Sequence, residues 1–100
     1  MDFNDKFNRK IILTQERWKH INDVHPELKG MLKKMGETLE DPELIKTSAY
    51  DENVVLFYKY FKHIYNGKYM CVVVRLEEKL IATAYITDRI KEGEILWKKN

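Results

Sequence analysis

Leu28, Met31, Leu32, Met35 and Leu39 recur at i, i+3, i+4, i+7 and i+11, the spacing that gathers apolar side chains on one face of an α-helix. A helix with one apolar stripe is stable only if a second apolar surface covers that stripe. The rest of the chain has to supply that surface. It does so with a different period: Leu44–Tyr50, Val54–Phe61, Lys68–Leu76 and Leu80–Thr87 are rich in β-branched and aromatic residues, as strands are. Asp51-Glu52-Asn53, Asn66-Gly67 and Glu77-Glu78-Lys79 provide short turn-forming connections between them, and short connections favour antiparallel neighbours. Glu94–Trp97 is a further short strand candidate beyond the Asp88–Gly93 turn. The predicted fold is therefore α+β, with two N-terminal helices packed on a four- to five-stranded antiparallel meander.

Local signals set the helix ends. Thr14 is a good N-cap, because its hydroxyl can accept an orphan backbone N–H, and Glu16 suits the positive helix end. This predicts a first helix over 15–23. Pro26 suits the first position of the second helix and pushes His25 towards an extended conformation. Gly30 and Gly36 weaken that helix by roughly 1 kcal/mol each against alanine, and Asp41-Pro42 closes it. Lys10–Leu13 reads as a strand or as a lead-in to the first helix. Residues 1–8 are polar apart from Phe3 and Phe7 and are expected to be a loosely held arm. Residues 9–100 then form a single domain, as the length of 100 residues requires.

Several function classes lose support at this point. No apolar run approaches the roughly 18–20 residues of a membrane span, and the charged start lacks the apolar segment of a signal peptide. One cysteine, Cys71, cannot form an internal disulfide, so a cytoplasmic location is expected. Within Met70–Val74 its thiol reads as packing rather than as a nucleophile. His20, His25 and an isolated cysteine do not make a zinc set, and there is no phosphate-cradling glycine loop. No cofactor or metal is expected. The net charge of +2 is mild for a nucleic-acid-binding chain. Lys59, Lys62, His63 and Lys68 nevertheless cluster around one turn, either as a solvated hairpin end or as a phosphate-contacting rim.

Strand parity and the histidines locate candidate chemistry. Leu80, Ala82, Ala84 and Ile86 share one face of their strand, while Thr83, Tyr85 and Thr87 share the other with Ile81. Arg75 alternates with Val72, Val74 and Leu76. Tyr58 and Tyr60 share a face, with Lys59 on the opposite one. Tyr58, Lys59, Arg75 and Thr87 are thus candidates for substrate contact, although such residues also suit an ordinary solvated sheet face. His20 and His25 flank the end of the first helix, with Arg17 before them. Two imidazoles and a guanidinium could serve as base, acid and phosphate stabiliser in cleaving an RNA phosphodiester, since histidine exchanges protons near neutral pH.

The run Arg17-Trp18-Lys19-His20-Ile21, then His25-Pro26-Glu27-Leu28, then a strand block and Thr83-Ala84-Tyr85-Ile86-Thr87-Asp88, resembles the phage-encoded branch of the barnase–EndoU–colicin–RelE-like (BECR) nuclease superfamily. The resemblance covers about residues 11–98. It implies N-terminal helices on a four-stranded antiparallel sheet and a metal-independent RNase, many such proteins being toxins that act on tRNA or ribosome-bound mRNA. Carried onto this sequence, it implies His20 and His25 as acid and base, Arg17 on the phosphate, and Thr83 and Tyr85 on the sheet with Thr87 as a neighbour. The resulting expectation is an endoribonuclease, a toxin or phage-derived effector, cleaving by 2′-hydroxyl attack. An RNA substrate and a cognate antitoxin or immunity protein would be its partners. The alternative is a non-catalytic RNA- or protein-binding module on the same fold; a third reading, an immunity-like protein, would favour a more acidic surface.

Overall fold

The structure, a computed structural model, describes all 100 residues. Its elements run β1 (Asp2–Asn4), β2 (Lys10–Ile12), α1 (Gln15–Val24), a single 3-10 turn (Pro26–Leu28), α2 (Leu32–Glu40), β3 (Leu44–Thr47), β4 (Val54–Phe61), β5 (Lys68–Arg75), β6 (Leu80–Thr87) and β7 (Ile95–Lys98). The α+β class with two helices against one sheet is as the sequence implies. The sheet differs from expectation. It has seven strands in the order β1-β2-β6-β5-β4-β3-β7, and it is mixed, because β2 lies parallel to β6 through the Ile12–Leu80 pairing.

Two extra strands come from the first twelve residues. The arm expected over 1–8 is instead tied down: β1 pairs antiparallel with β2 from Asp2–Ile12 to Asn4–Lys10. The connection is organised by Asp5, whose carboxylate is buried and accepts the Phe7 and Arg9 N–H groups at 2.9 and 2.8 Å and the Arg9 Nε–H at 2.7 Å. A short polar strand carries no periodic signal, so it escapes pattern reading. Phe3 of β1 then packs on α2 at Gly36, where a Cβ would lie only 3.0 Å from the Phe3 ring. A residue that weakens the helix locally is thus the one that lets β1 dock.

The Leu28–Leu39 stripe is buried as its spacing requires, but not on one continuous helix. Leu28, Met35 and Leu39 are fully buried, with Met31 and Leu32 packed alongside. The chain makes the 3-10 turn at Pro26, passes through Gly30 at φ +78°, and begins α2 only at Leu32. A left-handed residue cannot continue a right-handed helix. Against the stripe stand Ile45, Val55, Phe57, Met70, Val72, Val74, Ile81 and Ala84 from the four central strands, with Ile21 of α1. Thr14 caps α1 as predicted, accepting the Arg17 N–H at 3.1 Å.

The opposite sheet face is not simply solvated. Leu56, Tyr58, Cys71 and Val73 form a second, smaller core there, with Tyr85 and Ile90 packed on it. Its cover is the chain from Asp88 to Glu94, which leaves β6 at one side of the sheet and crosses to β7 beyond β3. Lys91 N–H donates to the Tyr58 phenol at 3.1 Å, and Lys46 Nζ donates to the Lys91 carbonyl at 2.7 Å. At Gly93 the crossing chain touches β3 so closely that a Cβ would lie 1.9 Å from the Thr47 carbonyl oxygen. No helix is long and apolar enough to cross a membrane.

Candidate functional site

The face under this crossing segment assembles part of the predicted site. A bulge in β6 decides which residues reach it. The β5–β6 register pairs Val73 with Thr83 but Val74 with Ile81, leaving Ala82 as the extra residue. Ile81 therefore turns into the helix-side core and Ala82 to the other face, the reverse of strict alternation. Beyond the bulge, Thr83 and Tyr85 face away from the helices as expected, opposite Val73 and Cys71.

Tyr85 is the meeting point. The His25 ring stands with its centroid 6.0 Å from that of Tyr85, at an interplanar angle of 37°. Lys91 Nζ lies over the same phenol ring, 5.4 Å from its centroid, a cation–π distance. Glu27 Oε2 stands 3.6 Å from His25 Nδ1, within ion-pair range but beyond a hydrogen bond. His25 remains part-exposed beside Tyr85, and Tyr85 and Lys91 line a cleft of about 520 Å³ whose lining does not include His25. Ser48, Tyr50, Thr83, Tyr85, Lys91 and Glu92 line that cleft together with the apolar Leu56 and Val73.

The buried polar groups of this face stay protonated at neutral pH. Burial pushes the Tyr58 phenol up to about 12 and the Cys71 thiol up to about 11, and it raises Tyr85 further. Cys71 beside them raises both phenols further, whereas the phenols act the other way on Cys71, lowering it without cancelling the effect of burial. The Tyr85 hydroxyl is buried without a hydrogen-bond partner. Tyr85 thus presents its ring, rather than its oxygen, to the rim.

The remaining predicted residues lie elsewhere. At about 100° per residue, His20 and His25 are roughly 140° apart around the α1 axis. His20 is exposed and lines a shallow polar depression with Thr14, Glu16 and Arg17, whereas His25 follows the Trp18–Ile21 side into the Tyr85 contact. The histidine pair does not converge, and Arg17 goes with His20. Tyr58 faces the cleft side but is fully covered. Lys59 projects to the helix side, where it donates to the Asp41 carbonyl at 2.9 Å and carboxylate at 3.2 Å. Arg75 is tied to Glu78 in the β5–β6 hairpin, four residues along β5 from Cys71, or about 13 Å. Thr87 closes a local turn with Arg89 and lines a separate shallow cleft with Glu27, Lys68 and Asp88.

Glu27 and Lys91 are the members that sequence reasoning missed. Glu27 stands two residues from His25 across Pro26, a spacing that could have drawn notice. Lys91 had no local signal, since only the crossing of Asp88–Glu94 over the sheet brings it to Tyr85. No three His, Cys, Asp or Glu side chains stand together as a metal-binding group. No family model, curated protein or solved structure matches the chain.

Proposed function

We propose that the chain is a metal-independent endoribonuclease whose chemistry centres on His25. The observation that carries this reading is that a part-exposed imidazole, His25, and the Lys91 ammonium both approach the Tyr85 ring, with Tyr85 and Lys91 lining an open cleft. Glu27, 3.6 Å from Nδ1, pairs with the imidazole once it is protonated, and Nε2 is the nitrogen assigned to exchange a proton with substrate. In the proposed reaction His25 Nε2 takes the proton of an RNA 2′-hydroxyl as that oxygen bonds to phosphorus. Lys91 offsets the charge that builds on the non-bridging oxygens. The P–O5′ bond breaks, the 5′-oxygen takes a proton from solvent, and the imidazolium returns its own proton to solvent. The products are a 2′,3′-cyclic phosphate and a 5′-hydroxyl. An RNase of this kind harms the cell that makes it unless restrained, so the reading includes a toxin or phage-derived effector with a neutralising partner.

The test is induction in a bacterial host followed by mapping of RNA 5′ ends, with purified protein assayed on total RNA in chelator. Wild type is expected to arrest growth and produce new 5′-hydroxyl ends. His25→Ala should lower cleavage by about 10²–10⁴-fold, while His20→Ala should stay within a few-fold, because His20 stands on another face of α1. Equal loss in both variants, or intact RNA with folded wild-type protein, overturns the proposal. One observation favours a second reading, a non-catalytic RNA- or protein-binding module: the Tyr85 hydroxyl is buried and held protonated while part of its ring stays exposed, so it offers contact area without acid–base service. That module would bind RNA or its protein partner as tightly with Ala at position 25 as with His.

A further inference from the structure

Tyr50 is the anomaly of the surface. It is 98% exposed, in the turn between β3 and β4, and it is among the residues that line the cleft. Its N–H donates to Ser48 Oγ at 3.2 Å, one of the bonds that shape the turn. An exposed aromatic ring is a large apolar area left in water, and its flat face suits a second flat, apolar face. The floor below it is apolar, with Val54, Leu56 and Val73. The polar groups at the rim are of opposite sign: Lys91 stands beside Tyr85, and Glu92 follows it in the chain. A ligand with a planar apolar body and an anionic group at one end fits this arrangement with its anion at Lys91, the one cation of the lining.

We infer that the cleft is a subsite for one unpaired nucleobase, stacked on Tyr50 over the Leu56–Val73 floor, with its phosphate at Lys91. The assignment deepens the RNA reading above and rests on it. The cleft volume of about 520 Å³ is in the range of small-ligand sites. A base lying against Tyr50 cannot remain paired and stacked in a duplex, so the substrate class is single-stranded RNA, or a loop or end with an unpaired base. Stacking accepts any base, because every base has a π-face. With the phosphate at Lys91, the adjoining ribose lies towards Tyr85, the ring that His25 also contacts, and there the proposed reaction would deprotonate the 2′-hydroxyl for its attack on phosphorus.

The test measures binding, so that it does not depend on cleavage. A 2′-O-methyl oligonucleotide lacks the nucleophilic hydroxyl and cannot be cut by the proposed route. Its affinity for the protein is measured single-stranded, as a blunt duplex, and with abasic sugars in place of bases. The single strand should bind at least about tenfold more tightly than the duplex or the abasic strand. Tyr50→Ala should remove about tenfold of that affinity, Tyr50→Trp should keep it, and neither should alter binding of the duplex. Tyr50 is exposed, so both variants are expected to fold, with circular dichroism as the check. Equal binding of all three probes, or an unchanged affinity in Tyr50→Ala, overturns the subsite. Parallel assays on unmodified RNA separate the two readings. Base-dependent binding without cleavage keeps the subsite and removes the nuclease, whereas cleavage that ignores pairing and Tyr50 removes the subsite and keeps the nuclease.

Discussion

Tyr58→Phe tests how the Asp88–Glu94 crossing is held on the sheet, because its effect should change with pH in a calculable way. The ring is fully buried and its phenol accepts the Lys91 N–H at 3.1 Å. Phenylalanine keeps the ring and removes the acceptor, which leaves a backbone N–H without its partner. Near neutral pH this should cost about 1–2 kcal/mol. The same burial, reinforced by Cys71, raises the phenol from 10.0 to about 12. A group raised on folding contributes stability that is fully present below its unfolded value and is lost as pH rises through its folded value. The loss therefore begins near pH 10 and is complete only above about 12. Two units correspond to about 3 kcal/mol in full, of which about 1 kcal/mol is gone by about pH 11. Phenylalanine does not titrate, so the deficit of the variant should shrink to near zero at about pH 11 and reverse beyond it. Urea unfolding of both proteins, followed by tryptophan fluorescence in steps from about pH 7 to about pH 11, measures the difference directly. Titrations of groups that Tyr58 does not influence cancel in it. A deficit that stays constant over this range would refute the reasoning, as would a variant more stable than wild type at neutral pH.

Three further outcomes follow from single contacts. Asp5→Ala removes three charge-assisted bonds to one buried carboxylate and should cost about 2–4 kcal/mol, lowering Tm by roughly 10–20 °C; Asp2→Ala, at an exposed ion pair with Lys10, should cost less than about 1 kcal/mol in the same calorimetric scan. Gly93→Ala forces a Cβ against the Thr47 carbonyl and should cost about 1–3 kcal/mol in urea unfolding, with amide exchange in 88–94 rising more than in β4 or β5. Asp41 is held below the ordinary carboxylate value by hydrogen bonds from Lys99 and Lys59, so its contribution is present above about pH 4 and disappears as pH falls through the lowered value. Asp41→Asn should therefore be slightly less stable than wild type at neutral pH, by under about 1 kcal/mol, and equal to it at about pH 2 or in molar salt.

The sequence by itself determined the elements whose causes are local. Helical spacing marked Leu28, Met31, Leu32, Met35 and Leu39 for burial, the Thr14 hydroxyl capped α1, and β-branched runs between turn residues placed β4, β5 and β6 to within a residue. It also placed Tyr85 and Thr83 on a common face away from the helices. Only the tertiary structure decided what depends on distant pairing. β1 is held by Asp5 and by space at Gly36, β2 joins β6 in parallel across 68 positions of chain, and β7 returns to β3 rather than to β6. The Ala82 bulge moved Ile81 into the core, a one-residue shift that strict alternation cannot anticipate. For the candidate site the division is the same. The residue types were legible, but helix phase separates His20 from His25 and chain crossing delivers Lys91. A spacing along one element is set by the backbone's own geometry, whereas the company a side chain keeps is set by which elements bury their apolar faces together.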